Sequence, residues 1–297
     1  MNRLSRFAIG LSFAAAAAFC VAAVAQDQSQ DPSQDQDPAS VNVAPSGPSY
    51  TTQAPPPQAQ QGAPAPGPDD QDYAEQPTET ASQPPPPLPD YQQPPPPADG
   101  YIWTPGYWAW SPTGYYWVPG AWVEPPYPAA LWTPGYWGFY GGRYLFYPGH
   151  WGLHIGFYGG INYGFGYVGL GYEGGYWRGG HFFYNRVYNN VNPRVVHNVY
   201  SYNAHVNVAR GNPRTSYHGG TGGVQARPRP SDAAAWREPT APRMNSQVQH
   251  AQSYSKVQGQ YAAQNHGKPA QPAVRQPLPA DHNVKPQSHG GGNQQHH

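Results

Sequence analysis

The sequence is poor in cysteine and in charged residues. Of its 297 residues, one is cysteine and 11% are Asp, Glu, Lys or Arg. The cysteine, Cys20, lies within the predicted signal peptide described below, so the mature chain has no thiol. This absence excludes disulfide bonds, thiolate metal sites and a cysteine nucleophile from the mature protein.

Long hydrophobic runs are also absent beyond the N-terminus. Arg3 and Arg6 precede an apolar run over residues 7–24, and Ala25 ends the small-residue pattern that signal peptidase recognises. We therefore predict a signal peptide over residues 1–25 and no transmembrane segment after its removal. The alternative, a membrane anchor, fits less well because the run is short and alanine-rich. We expect an exported protein that is periplasmic, associated with the outer surface, or secreted.

Positive charge is missing from the segment that follows. Residues 26–99 contain eleven acidic residues and no Lys or Arg, and twenty prolines fall within residues 26–100. Such a composition buries too little apolar surface to offset the entropy of ordering the chain. We predict a disordered, acidic, Pro/Gln-rich spacer over residues 26–100. A proline-rich ligand for an aromatic groove is the alternative.

Clustered positive charge is missing from the rest of the chain. Residues 100–297 contain fourteen basic and five acidic residues, but the basic residues are mostly single arginines. A nucleic-acid footprint needs a basic patch or run, so we expect no nucleic-acid partner.

Tryptophan, in contrast, is abundant in one stretch. Eight of the ten tryptophans lie between Trp103 and Trp151. They fall in four similar units, "YIWTPGYW", "YYWVPGAW", "LWTPGYW" and "YLFYPGHW", whose first aromatic positions (103, 117, 132 and 146) are 14 or 15 residues apart. This period is too short for a helical repeat, and the alternation of aromatic and small residues favours strands.

The units predict two aromatic antiparallel β-hairpins, at about residues 101–124 and 130–153. Turns at 112–113 and 141–142 give a fixed register, and a Gly-Gly pair suits a primed turn. In that register the aromatic residues of each hairpin pair across the strands: Trp103 with Trp122, Trp108 with Trp117, Trp132 with Trp151, and Trp137 with Phe146. Each Pro-Gly is then a bend or bulge inside a strand. Whether the sheet has one aromatic face or two depends on the side-chain parity across that bend.

The remaining chain divides by composition. Residues 154–222 are rich in Gly, Tyr and Asn and predict short strands. Residues 223–267 form a helical segment with one or two helices, the first capped by Ser231 and the second spanning about 242–264. Residues 268–297 form a Pro/Gln/His tail that we predict to be disordered. The fold class is therefore mainly β with long disordered flanks.

Catalytic and metal-binding patterns are weak. The region expected to be ordered has four isolated carboxylates and no acid–base pair, nucleophile motif or phosphate loop. We predict that the protein is not an enzyme and carries no cofactor. His150 and His154, or the histidines of the tail, would bind a divalent metal only weakly because no third strong ligand accompanies them. We predict no dedicated metal site.

The tryptophans have two interpretations. They form the core of a small sheet, or one face stays exposed and stacks on a glycan. The candidate ligand-binding residues for the second interpretation are Trp103, Trp108, Trp117, Trp122, Trp132, Trp137 and Trp151.

The four units resemble the WxxGxW, or YxWGxW, repeat family of exported bacterial proteins. Ala130 replaces the leading Tyr of the third unit, and Phe146 replaces the first Trp of the fourth. The resemblance implies an exported Gram-negative envelope protein and supplies no activity or ligand. We therefore expect a non-enzymatic structural or interaction module of the envelope. Its expected partners are an envelope polysaccharide, peptidoglycan or another envelope protein, with a glycan-binding module as the alternative.

Overall fold

The computed structural model describes residues 76–204 and 214–288, and the predicted signal peptide lies outside them. The described residues belong to one unit within Gln36–His297. They form a mainly β fold built of short strands, as the sequence predicts. In chain order the strands are β1 Glu79–Ala81, β2 Ile102–Thr104, β3 Tyr107–Ser111, β4 Gly114–Val118, β5 Ala121–Val123, β6 Leu131–Thr133, β7 Tyr136–Tyr140, β8 Arg143–Tyr147, β9 His150–Gly152, β10 Asn162–Gly164, β11 Tyr167–Val168, β12 Gly175–Arg178, β13 His181–Asn185, β14 Val199–Tyr200, β15 Tyr217–His218 and β16 Ala241–Pro242.

Both predicted hairpins form in the predicted register. The first pairs β2 with β5 and β3 with β4, and the second pairs β6 with β9 and β7 with β8. Trp103 lies opposite Trp122, and Trp132 lies opposite Trp151. The turn of the second hairpin places Gly141 and Gly142 at φ +57° and +78°. A primed turn requires positive φ at both central residues, which explains the Gly-Gly pair.

The Pro-Gly pairs interrupt the strands rather than bulging within them. Each hairpin is split into an inner and an outer strand pair, and the two pairs belong to different sheets. The inner pair β7–β8 is extended by β1 on one side and β15 on the other, while the outer pair β6–β9 is extended by β16. Proline cannot donate a ladder hydrogen bond, so matching Pro-Gly pairs end both strands at the same height.

The Gly/Tyr/Asn-rich region adds two small sheets, β10–β11 and β12–β13–β14. In β13 the side chains of Phe182 and Tyr184 are buried. Together with the hairpins they contribute to one aromatic core.

The helical segment is shorter and more broken than predicted. Helix α1, Pro230–Trp236, is capped by Arg229 rather than Ser231, because Asp232 accepts hydrogen bonds from the Arg229 backbone and guanidinium. Helix α2 spans Asn245–Tyr254. A 3₁₀ turn, Gln258–Gln260, and the short helix α3, Ala262–Asn265, follow it. No helix in the described ranges is long and apolar enough to span a membrane.

The predicted disordered flanks, 26–100 and 268–297, extend too far into the fold. Residues 76–98, here the N-terminal strap, include β1, which pairs with β8, and bury Leu88 and Gln93. Residues 268–288, here the C-terminal strap, form bridges to Gly120, Val123 and Thr240. The composition of both straps predicts disorder. They are nevertheless held, because the hairpins offer them hydrogen bonds and an aromatic surface.

Candidate functional site

All seven tryptophans proposed to bind a ligand lie in the core. Trp132 is 6% exposed and the other six are at most 2% exposed. Their burial leaves no face of these seven indoles on which a glycan would stack. This burial shows on which side of the chain Trp103 and Trp108 lie. The Pro-Gly break turns the outer strand pair so that both side chains point into the core.

The cross-strand indoles meet edge to face or tilted. The ring centroids of Trp108 and Trp117 are 5.2 Å apart, and those of Trp103 and Trp122 are 5.3 Å apart. Trp132 and Trp151 repeat the arrangement at 5.2 Å. Such aromatic pairs contribute about 0.5–1.5 kcal/mol beyond the burial of their area. The pairs help to explain how the described residues, none of which is cysteine, are held together.

The glycines of the repeat lie directly beneath these indoles. A Cβ at Gly106 would lie 2.3 Å from Cζ2 of Trp117, and a Cβ at Gly149 would lie 2.4 Å from Cζ2 of Trp132. Neither distance is possible for real atoms, so only glycine fits while the indole keeps its place. The sequence pattern predicts a bend at these glycines and does not indicate this packing role.

The indole N–H groups bind the two straps. Trp122 donates to the carbonyl oxygen of Pro94 at 2.7 Å, and Trp117 donates to that of Pro272 at 2.9 Å. Trp108 donates to the carbonyl oxygen of Pro87 at 3.2 Å. Proline has no backbone N–H, but its carbonyl oxygen accepts hydrogen bonds. A proline-rich segment therefore supplies acceptors for buried indole N–H groups.

The two hairpins are joined by the same kind of contact. Trp137 donates its indole N–H to the carbonyl oxygen of Trp108 at 2.7 Å. Tyr107 stacks on Phe146 with ring centroids 5.3 Å apart. The two hairpins therefore form one aromatic body, which we call the clamp, and the two straps lie against it.

The two histidines considered as a weak metal site have different neighbours. His150 is buried 5.9 Å from the ring of Trp236, whereas Nδ1 of His154 lies 2.8 Å from a carboxylate oxygen of Glu238. No group of three potential metal ligands occurs in the part of the chain that the structure describes. The tail histidines His289, His296 and His297 lie outside that part.

A cleft that the sequence analysis did not foresee opens between the N-terminal strap and the β10–β11 hairpin. Its volume is about 470 Å³. The rings of Tyr91 and Phe165, 5.0 Å apart, form one wall, and Trp117 contributes to the interior. Asp90 and Arg214 lie at the rim with a carboxylate–guanidinium distance of 3.4 Å. No local motif marks this cleft, because its two sides come from segments about seventy residues apart.

Phe165 adopts a backbone conformation that is rare for an aromatic residue. Its φ is +55°, and it lies between Gly164 and Gly166, which are also at positive φ. A non-glycine residue in the left-handed region costs on the order of 1–2 kcal/mol. The ring it carries also packs against Trp103, with centroids 5.6 Å apart. Backbone strain is thus concentrated at the wall of the cleft.

Comparison with known proteins agrees with the repeat geometry. The chain matches no curated protein and no solved structure. Residues 99–123 match the family model of the WXXGXW repeat in two copies. These copies contain Trp103, Gly106, Trp108, Trp117, Gly120 and Trp122, the residues that build the first hairpin and its glycine–indole contacts. In these residues the chain is therefore similar to the WXXGXW repeat family.

Proposed function

We propose that this protein is an exported, non-enzymatic envelope protein and that its aromatic clamp is a structural or interaction module. Its partner is an envelope polysaccharide, peptidoglycan or another envelope protein. The contacts of the tryptophan rings and of their N–H groups support the proposal. Their rings build the core, and three of their N–H groups hold extended, proline-rich segments of the same chain.

The contacts of three described carboxylates support a non-enzymatic role. Asp232 accepts from the backbone N–H of Arg229, the N-cap of helix α1, and Glu238 lies against His154. Glu79 accepts a hydrogen bond from the Trp110 backbone N–H at 2.7 Å. Burial raises the pKa of Glu79 despite that hydrogen bond and the nearby positive charge of Arg243. These groups are engaged in holding the fold.

Export is tested by fractionating Gram-negative cells that express the full chain and sequencing the N-terminus of the recovered protein. We expect a mature chain that begins at Gln26 in the periplasmic or outer-membrane fraction. Recovery in the cytosol with Met1 intact would overturn the proposal.

Partner binding is tested by sedimentation with purified cell envelopes, comparing untreated, protease-treated and lysozyme-treated material. Retention that protease removes identifies a protein partner, and retention that lysozyme removes identifies peptidoglycan. A chain that stays in the supernatant with all three preparations would leave the clamp with an internal structural role and rule out the interaction module.

A further inference from the structure

The walls of the cleft between the N-terminal strap and the β10–β11 hairpin point to a ligand with an apolar face. Tyr91 and Phe165 are each partly buried, and both line the cleft. The volume of about 470 Å³ lies within the range of about 300–1,000 Å³ typical of small-molecule sites. An open aromatic wall of this kind suits the C–H face of a sugar ring.

The rim supplies both hydrogen-bond donors and acceptors. The Asp90 side chain is 86% exposed and that of Arg214 is 43% exposed. Asn162 uses its side-chain oxygen to accept from the backbone N–H of Gly164 at 3.0 Å, which leaves its amide nitrogen as the donor for a ligand. A carboxylate, an amide and a guanidinium together match the hydroxyl groups of a sugar. Because the carboxylate and the guanidinium are paired, the rim favours an uncharged ligand over an acidic one.

The backbone of the cleft is unsuited to a peptide. The N–H of Gly106 donates to the Tyr91 hydroxyl at 3.1 Å, and that of Leu88 donates to the Arg214 carbonyl at 2.8 Å. A peptide that added as a strand would need free backbone donors. The indole N–H that binds a proline carbonyl elsewhere in this protein is also committed here, because Trp117 donates to Pro272. The exposed polar groups at the rim are the side chains of Asp90 and Arg214, and Nε of Arg214 already donates to the Leu88 carbonyl.

The strain at Phe165 is consistent with a binding role. Glycine at this position would adopt φ +55° without cost, as Gly164 and Gly166 do at +74° and +93°. The chain instead places an aromatic ring where the backbone resists it. Residues held in such conformations concentrate at ligand sites.

We propose that this cleft binds a pyranose unit of an uncharged polysaccharide, with Phe165 and Tyr91 stacking on the ring and Asp90, Asn162 and Arg214 binding its hydroxyl groups. This inference rests on the proposed envelope function, for which it names the partner class. It moves the predicted glycan contact from the buried tryptophans to a site built by the strap and the β10–β11 hairpin.

The test titrates the full chain, purified from cells that export it, with chitotetraose and separately with cellotetraose. Calorimetry measures the affinity and tryptophan fluorescence reports the environment of Trp117. We expect one molecule of at least one oligosaccharide to bind per chain. Binding of only chitotetraose indicates an N-acetylated polymer, and binding of both indicates recognition of the pyranose ring alone.

Two cleft variants and one control decide where the sugar binds. Phe165→Gly removes a stacking ring and relieves the backbone, and Asp90→Ala removes an exposed acceptor. Each should weaken binding by about tenfold or more. Asp99→Ala removes a carboxylate that is 39% exposed, 3.4 Å from His197 and outside the cleft, and should leave the affinity unchanged. If Phe165→Gly fails to fold, as judged by near-ultraviolet circular dichroism, Asp90→Ala decides the outcome because its side chain is exposed.

The inference is overturned by three results: neither oligosaccharide binds, binding is insensitive to the cleft variants, or the peptide PPPPLPDYQQ binds with the same sensitivity to them. Failure here is distinct from failure of the proposed function. A chain that is exported and sediments with envelopes, yet binds neither oligosaccharide, keeps its envelope role and loses only the sugar site.

Discussion

Trp122 donates its indole N–H to the carbonyl oxygen of Pro94 at 2.7 Å, although the two residues are 28 positions apart. Its cross-strand partner Trp103 is equally buried, but Nε1 of Trp103 makes no hydrogen bond of standard geometry with any described residue. The pair thus contains one indole with a hydrogen bond of standard geometry to the N-terminal strap and one without. This difference separates the two contributions of tryptophan to the fold.

Trp122→Phe should destabilise the protein more than Trp103→Phe. Both changes remove similar buried volume, but only the first breaks a hydrogen bond of standard geometry and leaves the Pro94 carbonyl without its donor. The difference in the free energy of unfolding should be about 1 kcal/mol. Urea unfolding followed by circular dichroism measures it. Limited proteolysis of the strap should also be faster in Trp122→Phe, and equal losses in the two variants would show that the strap is held by other contacts.

Gly149→Ala should destabilise the protein by about 1–3 kcal/mol, because the added methyl would force the Trp132 indole out of its position. Gly156→Ala is the matched control, since the nearest atom to its added Cβ would be Nε2 of His150 at 3.6 Å, an ordinary contact. The melting temperatures of both variants measure the effect. Similar melting temperatures would contradict the close approach of glycine and indole.

The register of the hairpins is predictable because its determinants are local. Turn residues and aromatic residues lie within one stretch of about twenty residues, and only one register places Trp103 opposite Trp122 and Trp108 opposite Trp117. The pairing of large aromatic residues and the geometry of the turn favour the same register. The role of Gly149 was not predictable in this way, because it depends on where an indole of the facing strand points.

The ordered structure of the two straps is not predictable from the sequence, for a different physical reason. A proline-rich segment lacks the apolar surface to fold by itself, and composition measures only that. Order here comes from donors elsewhere in the chain, such as the indole N–H of Trp117 at 2.9 Å from the Pro272 carbonyl. The cleft was missed likewise, because Tyr91 and Phe165 meet only after the strap is in place.

Removal of the C-terminal strap should destabilise the clamp, although its composition suggests a dispensable tail. A chain that ends at Gly267 loses the hydrogen bond from Trp117 to Pro272 and those from the backbone N–H groups of Val274 and Leu278 to the first hairpin. At about 1 kcal/mol for each hydrogen bond, the free energy of unfolding should fall by at least about 3 kcal/mol.

The emission maximum of tryptophan fluorescence should also move to longer wavelength in the truncated chain, as water reaches Trp117. A chain that ends at Ser288 keeps every contact described for the strap and is the matched control. If the two truncated chains unfold at the same urea concentration, the strap does not stabilise the clamp.

Acid should destabilise the protein through His250, which lies on helix α2. Its Nε2 is 2.9 Å from the carbonyl oxygen of Pro119, so the neutral ring donates a hydrogen bond there. Burial lowers the pKa of His250 below its ordinary value of 6.5, and the hydrogen bond to Pro119 only partly offsets this. The unfolded chain therefore binds a proton at a higher pH than the folded chain does.

The contribution of the neutral His250 ring to the free energy of unfolding is therefore fully present above about pH 7. It is lost as the pH falls from about 6.5 towards the lower pKa of the folded state. His250→Gln keeps a neutral donor near Pro119 and cannot take up the proton. The variant should lose less free energy of unfolding between pH 7 and pH 5 than the unaltered protein, by about 1.4 kcal/mol for each unit by which burial lowers the pKa. Urea unfolding at both pH values measures this difference.

His282→Gln is the matched control, because the exposed His282 ring also lies near a proline carbonyl, 3.1 Å from Pro126. A pH dependence that His250→Gln leaves unchanged would show that the buried imidazole does not limit acid stability.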